Sequence, residues 1–157
     1  MGLDMTLSRK HYVKNWEHNE DEYAVSVELN GQPIPIVGKV AYIEEEAIYW
    51  RKANAIHRWF VIEAGEGNDD CTPIYVAIEH LAELRDNCLE VLEDRGKAAE
   101  ILPTMGGFFF GSTDYDECYF EDLKTTAADL TRLLKADEKL KQWNNKHSVE
   151  YWYSASW

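Results

Sequence analysis

The segment from residue 44 to residue 63 constrains the fold more than any other part of the sequence. At about 100° per residue, a helix over this segment carries apolar side chains on one face and again on a second face. The two sets are Tyr49, Ala53, Ile56 and Phe60, and Ile48, Ala55, Trp59 and Ile62. A helix that is apolar around most of its circumference needs cover on all sides. The sequence therefore predicts a central, largely buried helix over residues 44–63, ended by Gly65 and Gly67.

The remaining periodicity predicts short strands and two more helices. Alternating apolar and polar residues predict strands over residues 2–8, 23–29, 74–77 and 149–154, and the run Phe108–Phe110 predicts another. Asn30-Gly31 predicts a hairpin turn, because both residues tolerate positive φ. Helical spacing predicts helices over residues 79–94 and 116–135. We therefore expect an α+β fold in a single domain over residues 1–157, with a small, mainly antiparallel sheet covered by about three helices.

Charge and cysteine content argue against several classes of function. The 157 residues carry a formal net charge of −13, which disfavours binding to nucleic acids and to anionic membranes. No stretch is long and apolar enough to span a bilayer. Cys71, Cys88 and Cys118 are widely spaced and odd in number, so reduced thiols in a cytoplasm are expected rather than disulfides or structural zinc. We expect no cofactor and no metal.

The densest group of ligand-binding side-chain types lies within the predicted central helix. At helical pitch Trp50, Asn54 and His57 form one stripe, and Arg51 and Arg58 lie seven residues apart on the neighbouring stripe. Such a surface suits a nucleotide, because a ring stacks on a base and a guanidinium pairs with phosphate. The alternative is structural. In that case Trp50 packs, Asn54 holds a neighbouring backbone segment, and the two arginines pair with surface acids.

A second group lies where residues 106–122 pass through a glycine-rich turn into a helix. Helix N-termini offer free N–H donors to anions, and Ser112, Thr113 and Tyr115 carry hydroxyl groups at that junction. Ordinary helix capping competes with ligand binding here, because Thr113 with Asp116 approximates a capping box. The predicted binding site combines the side chains of Trp50, Arg51, Asn54, His57, Arg58, Ser112, Thr113 and Tyr115.

Two other groups have both a structural and a functional interpretation. The turn Asp69-Asp70-Cys71 could supply acid–base chemistry or hold a metal, but its spacing matches no metal loop, and a solvated turn competes. The aromatic segment Tyr151–Trp157 either docks into the core or forms a subunit interface. Because the predicted central helix also needs cover, we predict a homodimer or higher oligomer that uses this segment. His11, His18, His80 and His147 stand alone and predict no ligand set.

Several motifs together resemble a family of small phage and prophage proteins. They are Met1-Gly2-Leu3-Asp4-Met5, Tyr49-Trp50-Arg51-Lys52-Ala53-Asn54-Ala55-Ile56-His57, Phe108-Phe109-Phe110-Gly111-Ser112-Thr113 and the ending Ser154-Ala155-Ser156-Trp157, where the family has a Ser-Ser-Trp-like end. The resemblance carries over no catalytic residue. It implies a phage accessory context, in which small proteins often counter host immunity.

Three functions follow as hypotheses. The first is a non-enzymatic binding protein for a small nucleotide-like ligand, such as a sponge that sequesters a nucleotide-type immune signal. The second is an acidic inhibitor of a host protein, which binds a basic partner or mimics DNA, and which needs the acids of residues 17–22 and 114–122 on one exposed face. The third is a hydrolase or transferase acting on a nucleotide-like ligand, although the chain carries no catalytic signature.

Overall fold

A computed structural model describes residues 2–14, 18, 24–144 and 146–157. The strands are β1 (Asp4–Tyr12), β2 (Val27–Leu29), β3 (Gln32–Ile34), β4 (Tyr42–Arg51), β5 (Ile74–Val76) and β6 (Val149–Ser156). The helices are α1 (Asn54–Trp59), α2 (Ile78–Glu93), α3 (Ala98–Ile101) and α4 (Glu117–Trp143), with a π-helical turn over Phe60–Ala64 and a 3-10 turn over Arg95–Lys97. The predicted α+β class is confirmed.

The main sheet has four antiparallel strands in the order β4-β1-β6-β5. Strand β1 lies inside the sheet, so that Leu7 is opposite Ile48 on one side and opposite Tyr153 on the other. Strands β2 and β3 form a separate hairpin. Its turn residues Asn30 and Gly31 have φ of 51° and 74°, which confirms the predicted hairpin.

One hydrophobic core joins the sheet to the helices. Because side chains alternate along a strand, the buried residues Leu3, Met5 and Leu7 share one face of the sheet. Helices α2 and α4 pack against each other and contribute the buried leucines Leu81, Leu84, Leu123 and Leu130 to the same core. None of the helices in the described ranges combines the length and hydrophobicity that crossing a bilayer requires.

The predicted central helix over residues 44–63 is wrong in its first half. Residues 42–51 form strand β4, and helix α1 begins only at Asn54. Strand β4 carries a bulge at Ala47, because Leu7 pairs with Ile48 and the next residue of β1 pairs with Glu46. The bulge shifts the alternation by one position, so the strand lacks a clean period of two. The chain then turns at Lys52, whose φ is 59°.

Other boundaries also differ from the predictions. Phe108–Phe110 is a turn rather than a strand, because the backbone N–H of Phe110 donates to the Gly107 carbonyl at 3.2 Å. Helix α4 continues to Trp143, well beyond the expected end at residue 135. Part of the predicted strand 23–29 lies outside the described residues, and β2 covers only Val27–Leu29. The rings of Tyr151 and Tyr153 lie in the core of the same chain.

Candidate functional site

The two predicted binding segments meet in one cleft of about 390 Å³. Residues 51–56 form one wall, and residues of the loop before α4 and of its first turns form the other. Arg51, Asn54 and Ser112 of the predicted site line this cleft. The segments are more than fifty positions apart, and the pairing of β4 with β1 brings the first one into place.

The first wall carries two cations. The Arg51 side chain is 61% exposed, and its Nε lies 3.8 Å from Oδ1 of Asp4. The backbone N–H of Lys52 donates to the Leu3 carbonyl at 2.8 Å. The stem of Lys52 lies against Gly111, where an added Cβ would meet the Lys52 Cβ at 3.4 Å. These contacts hold the two side chains beside the cleft.

The opposite wall carries carboxylates from the start of α4. Asp116 caps that helix, because its Oδ1 accepts from the Tyr119 backbone N–H at 3.0 Å. Burial, together with the smaller effect of the negative charges of Asp116 and Glu121, raises the pKa of Asp122 to about 6. Asp114 also lines the cleft. The cleft is therefore lined both by cations of residues 51–52 and by carboxylates at the start of α4.

Asn54 supports the loop that forms part of the cleft. Its Nδ2 donates to the carbonyls of Phe110 and Ser112 at 3.1 and 2.7 Å, and its Oδ1 accepts from the Met105 N–H at 3.2 Å. The side chain is only 5% exposed. Because these bonds use both amide donors and the amide oxygen, Asn54 positions the loop rather than reading the edge of a ligand.

Trp50 lies in the core and offers no open ring face. It belongs to β4, so the predicted helical stripe that it was to share with Asn54 and His57 is wrong. Its indole N–H donates to Oγ1 of Thr126 at 2.8 Å, and its ring packs edge-on against Phe60. Trp50 therefore ties β4 to α4.

His57 is also buried, with 1% of its surface exposed. Its Nε2 lies 3.1 Å from Oδ1 of Asp69, although the carboxylate is off the direction of a good hydrogen bond. A carboxylate only accepts, so the ring proton belongs on Nε2, and Nδ1 accepts from the Tyr153 hydroxyl at 2.7 Å. Burial lowers the pKa of His57 despite the opposing effect of Asp69. Phe110 and Trp157 pack edge-on against the ring and close the site.

The order Asp69, His57, Tyr153 is that of a catalytic charge relay, but no substrate can reach it here. Only 1% of Tyr153 is exposed, and its ring stacks on Phe60 at 4.1 Å. Burial also raises the pKa of the Tyr153 hydroxyl, which disfavours a phenolate nucleophile. The geometry therefore supports a buried structural link between β6 and α1.

The remaining predicted residues lie outside the cleft wall. Arg58 lines a different cavity of about 100 Å³ that also includes Glu63 and Glu83. The Thr113 carbonyl accepts from Oγ1 of Thr104 at 3.0 Å, and the Tyr115 hydroxyl accepts from the Thr104 N–H at 3.4 Å. Thr113 and Tyr115 therefore shape the loop.

The predicted site did not include Lys52 or the carboxylates of Asp114, Asp116 and Asp122, although all four residues line the cleft. Lys52 could have been found, because it follows Arg51 in the same basic run. Asp122 gives no local signal, since it looks like an ordinary acid on the surface of a helix. Of the other acids near it, Glu117 pairs with Arg95 at 2.6 Å and Glu121 with Lys124 at 3.3 Å. The other group of acids in the inhibitor hypothesis, Glu17 and residues 20–22, lies outside the described residues.

A separate polar cluster surrounds Arg9 at the other end of the helix–sheet interface. The Arg9 guanidinium donates to Asp137 and to Glu45, the latter at 2.7 Å. The Tyr151 hydroxyl donates to the second carboxylate oxygen of Asp137. Burial lowers the pKa of Arg9, but its bonds to Glu45 and Asp137 outweigh that effect and raise it overall. A cavity of about 270 Å³, lined in part by Asp137 and Tyr151, adjoins the cluster.

His11 and His147 belong to this cluster, contrary to the expectation that each stands alone. Nη1 of Arg9 lies 2.8 Å from Nε2 of His11. Because arginine only donates, Nε2 accepts, and the His11 proton is on Nδ1. That N–H donates to Nε2 of His147 at 2.9 Å. Burial and the charge of Arg9 lower the pKa of both imidazoles, so the pair is neutral at neutral pH.

Comparisons with known proteins give no family assignment. The chain matches no protein-family model, and comparison with curated proteins and with solved structures gives no match either. Over the part of the chain that the structure describes, no three His, Cys, Asp or Glu side chains are grouped to hold a metal ion. The chemistry of the cleft is therefore the basis for a functional inference.

Proposed function

We propose that the protein binds a small nucleotide-like molecule in the cleft between Arg51 and Asp122 and releases it unchanged. The observation that carries this proposal is that two cations and several carboxylates line the same cleft. A phosphate group pairs with Arg51 and Lys52 through charge-assisted hydrogen bonds. The amino and ring N–H groups of a base donate to the carboxylates of Asp116 and Asp122. A volume of about 390 Å³ lies within the usual range for small-molecule sites.

The rim of the cleft supplies a further contact. Ile56 and Leu123 border the cleft but are fully buried, and Trp50 is not available for stacking. Oγ of Ser112 accepts from the Asp114 N–H at 3.0 Å, which leaves the hydroxyl proton for a ligand acceptor. Asn54 contributes indirectly, because it holds the loop that carries Ser112.

The resemblance to small phage proteins supports a biological role for such binding. A protein that holds a nucleotide-type immune signal without cleaving it lowers the concentration that reaches the host effector. We include this sponge role in the proposal. It distinguishes the protein from a hydrolase or transferase, which would return a changed molecule.

Mass spectrometry of small molecules released by heating the purified protein tests the proposal directly. A nucleotide-like molecule released intact is the expected result, and the same molecule recovered unchanged after incubation excludes turnover. Thermal-shift and calorimetric titrations with AMP, ADP-ribose and cyclic dinucleotides provide the second readout. At a hundredfold excess over the dissociation constant, a ligand stabilises the fold by about 3 kcal/mol.

Arg51→Ala and Arg58→Ala form a matched pair for that titration. Both remove a cation from the same short stretch, but only Arg51 lines the cleft. We expect Arg51→Ala to weaken binding about tenfold and Arg58→Ala to leave it unchanged. Equal effects of the two substitutions, or no binding by any probe and no released molecule, would contradict the proposal.

A further inference from the structure

Helices α2 and α4 carry a groove of about 760 Å³ that is distinct from the cleft. Its floor is apolar, with Leu89 and Leu92 from α2 and small side chains from α4. Its rim is basic, with Lys124, Arg132, Lys135 and Lys139. No acid is among the side chains that line it within the described ranges. No residue lines both the groove and the cleft, so the two surfaces are separate.

The basic rim is unusual for this chain. The whole sequence has 16 Lys and Arg residues against 29 Asp and Glu, yet four of those cations lie here. Lys124 and Arg132 are partly neutralised by acids three residues away on the same helix. Lys135 and Lys139 form no ion pair with any described residue. Like charges one turn apart destabilise a helix slightly, so this pair gives the isolated fold no advantage.

The floor of the groove fits another helix. Leu89 is 49% exposed, although it is a large apolar side chain next to the half-buried Leu92. Ala128 and Ala136 are small, which lets a second backbone approach α4 closely. From Lys124 to Lys139 the lining residues of α4 span about 22 Å, the length of a helix of about 15 residues.

We propose that this groove binds an acidic amphipathic helix of a partner protein. The apolar stripe of that helix packs on Leu89, Leu92 and the alanines, and its carboxylates pair with Lys135 and Lys139. Charge complementarity decides the partner, because an apolar floor alone would accept any hydrophobic segment, whereas two unpaired ammonium groups select acids. The inference does not depend on the ligand of the cleft.

Charge also disfavours two other occupants. A two-fold dimer through this groove would bring Lys135 and Lys139 near the same residues of the second copy, where like charges repel. An anionic bilayer attracts the rim but repels a chain of net charge −13. A single helix interacts mainly with charges within about 8 Å, so it responds to the local basic rim.

Fluorescence anisotropy with a labelled peptide of about 15 residues tests the proposal. The probe has leucine at every third and fourth position and glutamate on its other faces, and its matched control has lysine in place of each glutamate. We expect the acidic peptide to bind to the full chain, with an affinity that falls as salt rises, and the basic peptide not to bind.

Lys135→Glu combined with Lys139→Glu should weaken binding of the acidic peptide at least about tenfold. Lys141→Glu is the matched control, because it lies on α4 but lines a different cavity. Circular dichroism and melting curves establish that both variants keep the fold. The proposal fails if neither peptide binds, if both bind equally, or if Lys141→Glu has the same effect.

Two further readouts identify a different occupant. Sedimentation with phosphatidylglycerol vesicles tests a membrane, and light scattering over a range of protein concentrations tests a second copy. Loss of vesicle binding or of dimerisation in the Lys135→Glu, Lys139→Glu variant, without peptide binding by the parent chain, would overturn the proposal.

Discussion

Two nitrogen atoms of Arg9 donate to the same Oδ1 oxygen of Asp137, Nε at 3.0 Å and Nη2 at 2.6 Å, although the residues lie 128 positions apart. The contact joins β1 to α4 across the helix–sheet interface. Both side chains are largely buried, and Tyr151 donates to the other oxygen of Asp137. Removing one partner of such a buried ion pair lowers the free energy of unfolding strongly, because the charge that remains is buried without a counter-charge and without water.

Asp137→Ala should therefore destabilise the protein by about 3 kcal/mol, since Arg9 keeps only the more exposed carboxylate of Glu45 and the Tyr151 hydroxyl loses its acceptor. Urea denaturation at neutral pH measures the change. Asp129→Ala on the same helix removes only a surface pair with Arg132, and we expect it to cost less than about 1 kcal/mol. Equal costs for the two variants would show that the Arg9 pair contributes no more than a surface contact.

Stability should fall as the pH drops below about 6.5, the ordinary pKa of histidine. Burial, Arg9 and the neighbouring imidazole lower the pKa of His11, against the attraction of Glu45 and Asp137. Burial, Arg9 and Lys14 lower the pKa of His147. Because the unfolded chain then binds protons more readily than the folded one, the contribution of these residues is complete above about pH 6.5 and is lost as the pH falls.

Chemical denaturation at a series of pH values between about 7.5 and 6 measures that loss. The double variant His11→Gln, His147→Gln should show a shallower dependence on pH than the parent. The remaining slope comes in part from His57, whose pKa burial also lowers. An unchanged slope in the double variant would show that the imidazole pair is not the source.

Asn54→Ala should release the loop that shapes the cleft. The substitution leaves the carbonyls of Phe110 and Ser112 and the N–H of Met105 without their partners, at a cost of about 2 kcal/mol. Hydrogen exchange of the Met105 amide should accelerate, and any affinity of the cleft for a nucleotide should fall with it. Asn87→Ala, at a half-buried position of α2, serves as the control, with an expected change within about 0.5 kcal/mol.

Asp122→Asn should stabilise the protein at pH 7. The folded state raises the pKa of this carboxyl from 3.8 to about 6, so its ionised form is disfavoured in the fold. After allowance for screening at a half-exposed group, we expect a gain of about 1 kcal/mol. The gain should shrink as the pH falls below about 6 and disappear once the pH is well below 3.8, where both states of the parent are protonated. A constant difference over that range, or a gain of equal size from Glu138→Gln, would show that the ionisation of Asp122 is not its cause.

Self-association through the C-terminal segment stays a prediction that light scattering tests. Tyr151 and Tyr153 are in the core of the chain itself, which leaves the half-exposed Trp152 and Trp157 as the rings that an interface could use. Replacing both with alanine should dissociate an oligomer that depends on them. A monomeric parent chain at high concentration would make the prediction wrong.

The spacing of apolar and turn-forming residues along the sequence was enough to predict the elements that neighbouring residues determine. The α2 prediction differs from the observed Ile78–Glu93 by one residue at each end, because its leucines, cysteine and valine recur at helical spacing. The Asn30-Gly31 turn and strand β6 were also found, since turn chemistry and a period of two are properties of adjacent residues. The same local reasoning selected Arg51 and Ser112, and both line one cleft.

Only the tertiary structure determined the features that form between residues far apart in the sequence. The alternation after the bulge at Ala47 is too short to distinguish a strand from a helix, and pairing with β1 determines that Ile48 and Trp50 lie in a strand. The Arg9, His11, Asp137 and His147 cluster has no local signature, because its members come from opposite ends of the chain. Amphipathic periodicity indicates which side chains are buried. It does not indicate which residues pack against them, because that depends on contacts between distant parts of the chain.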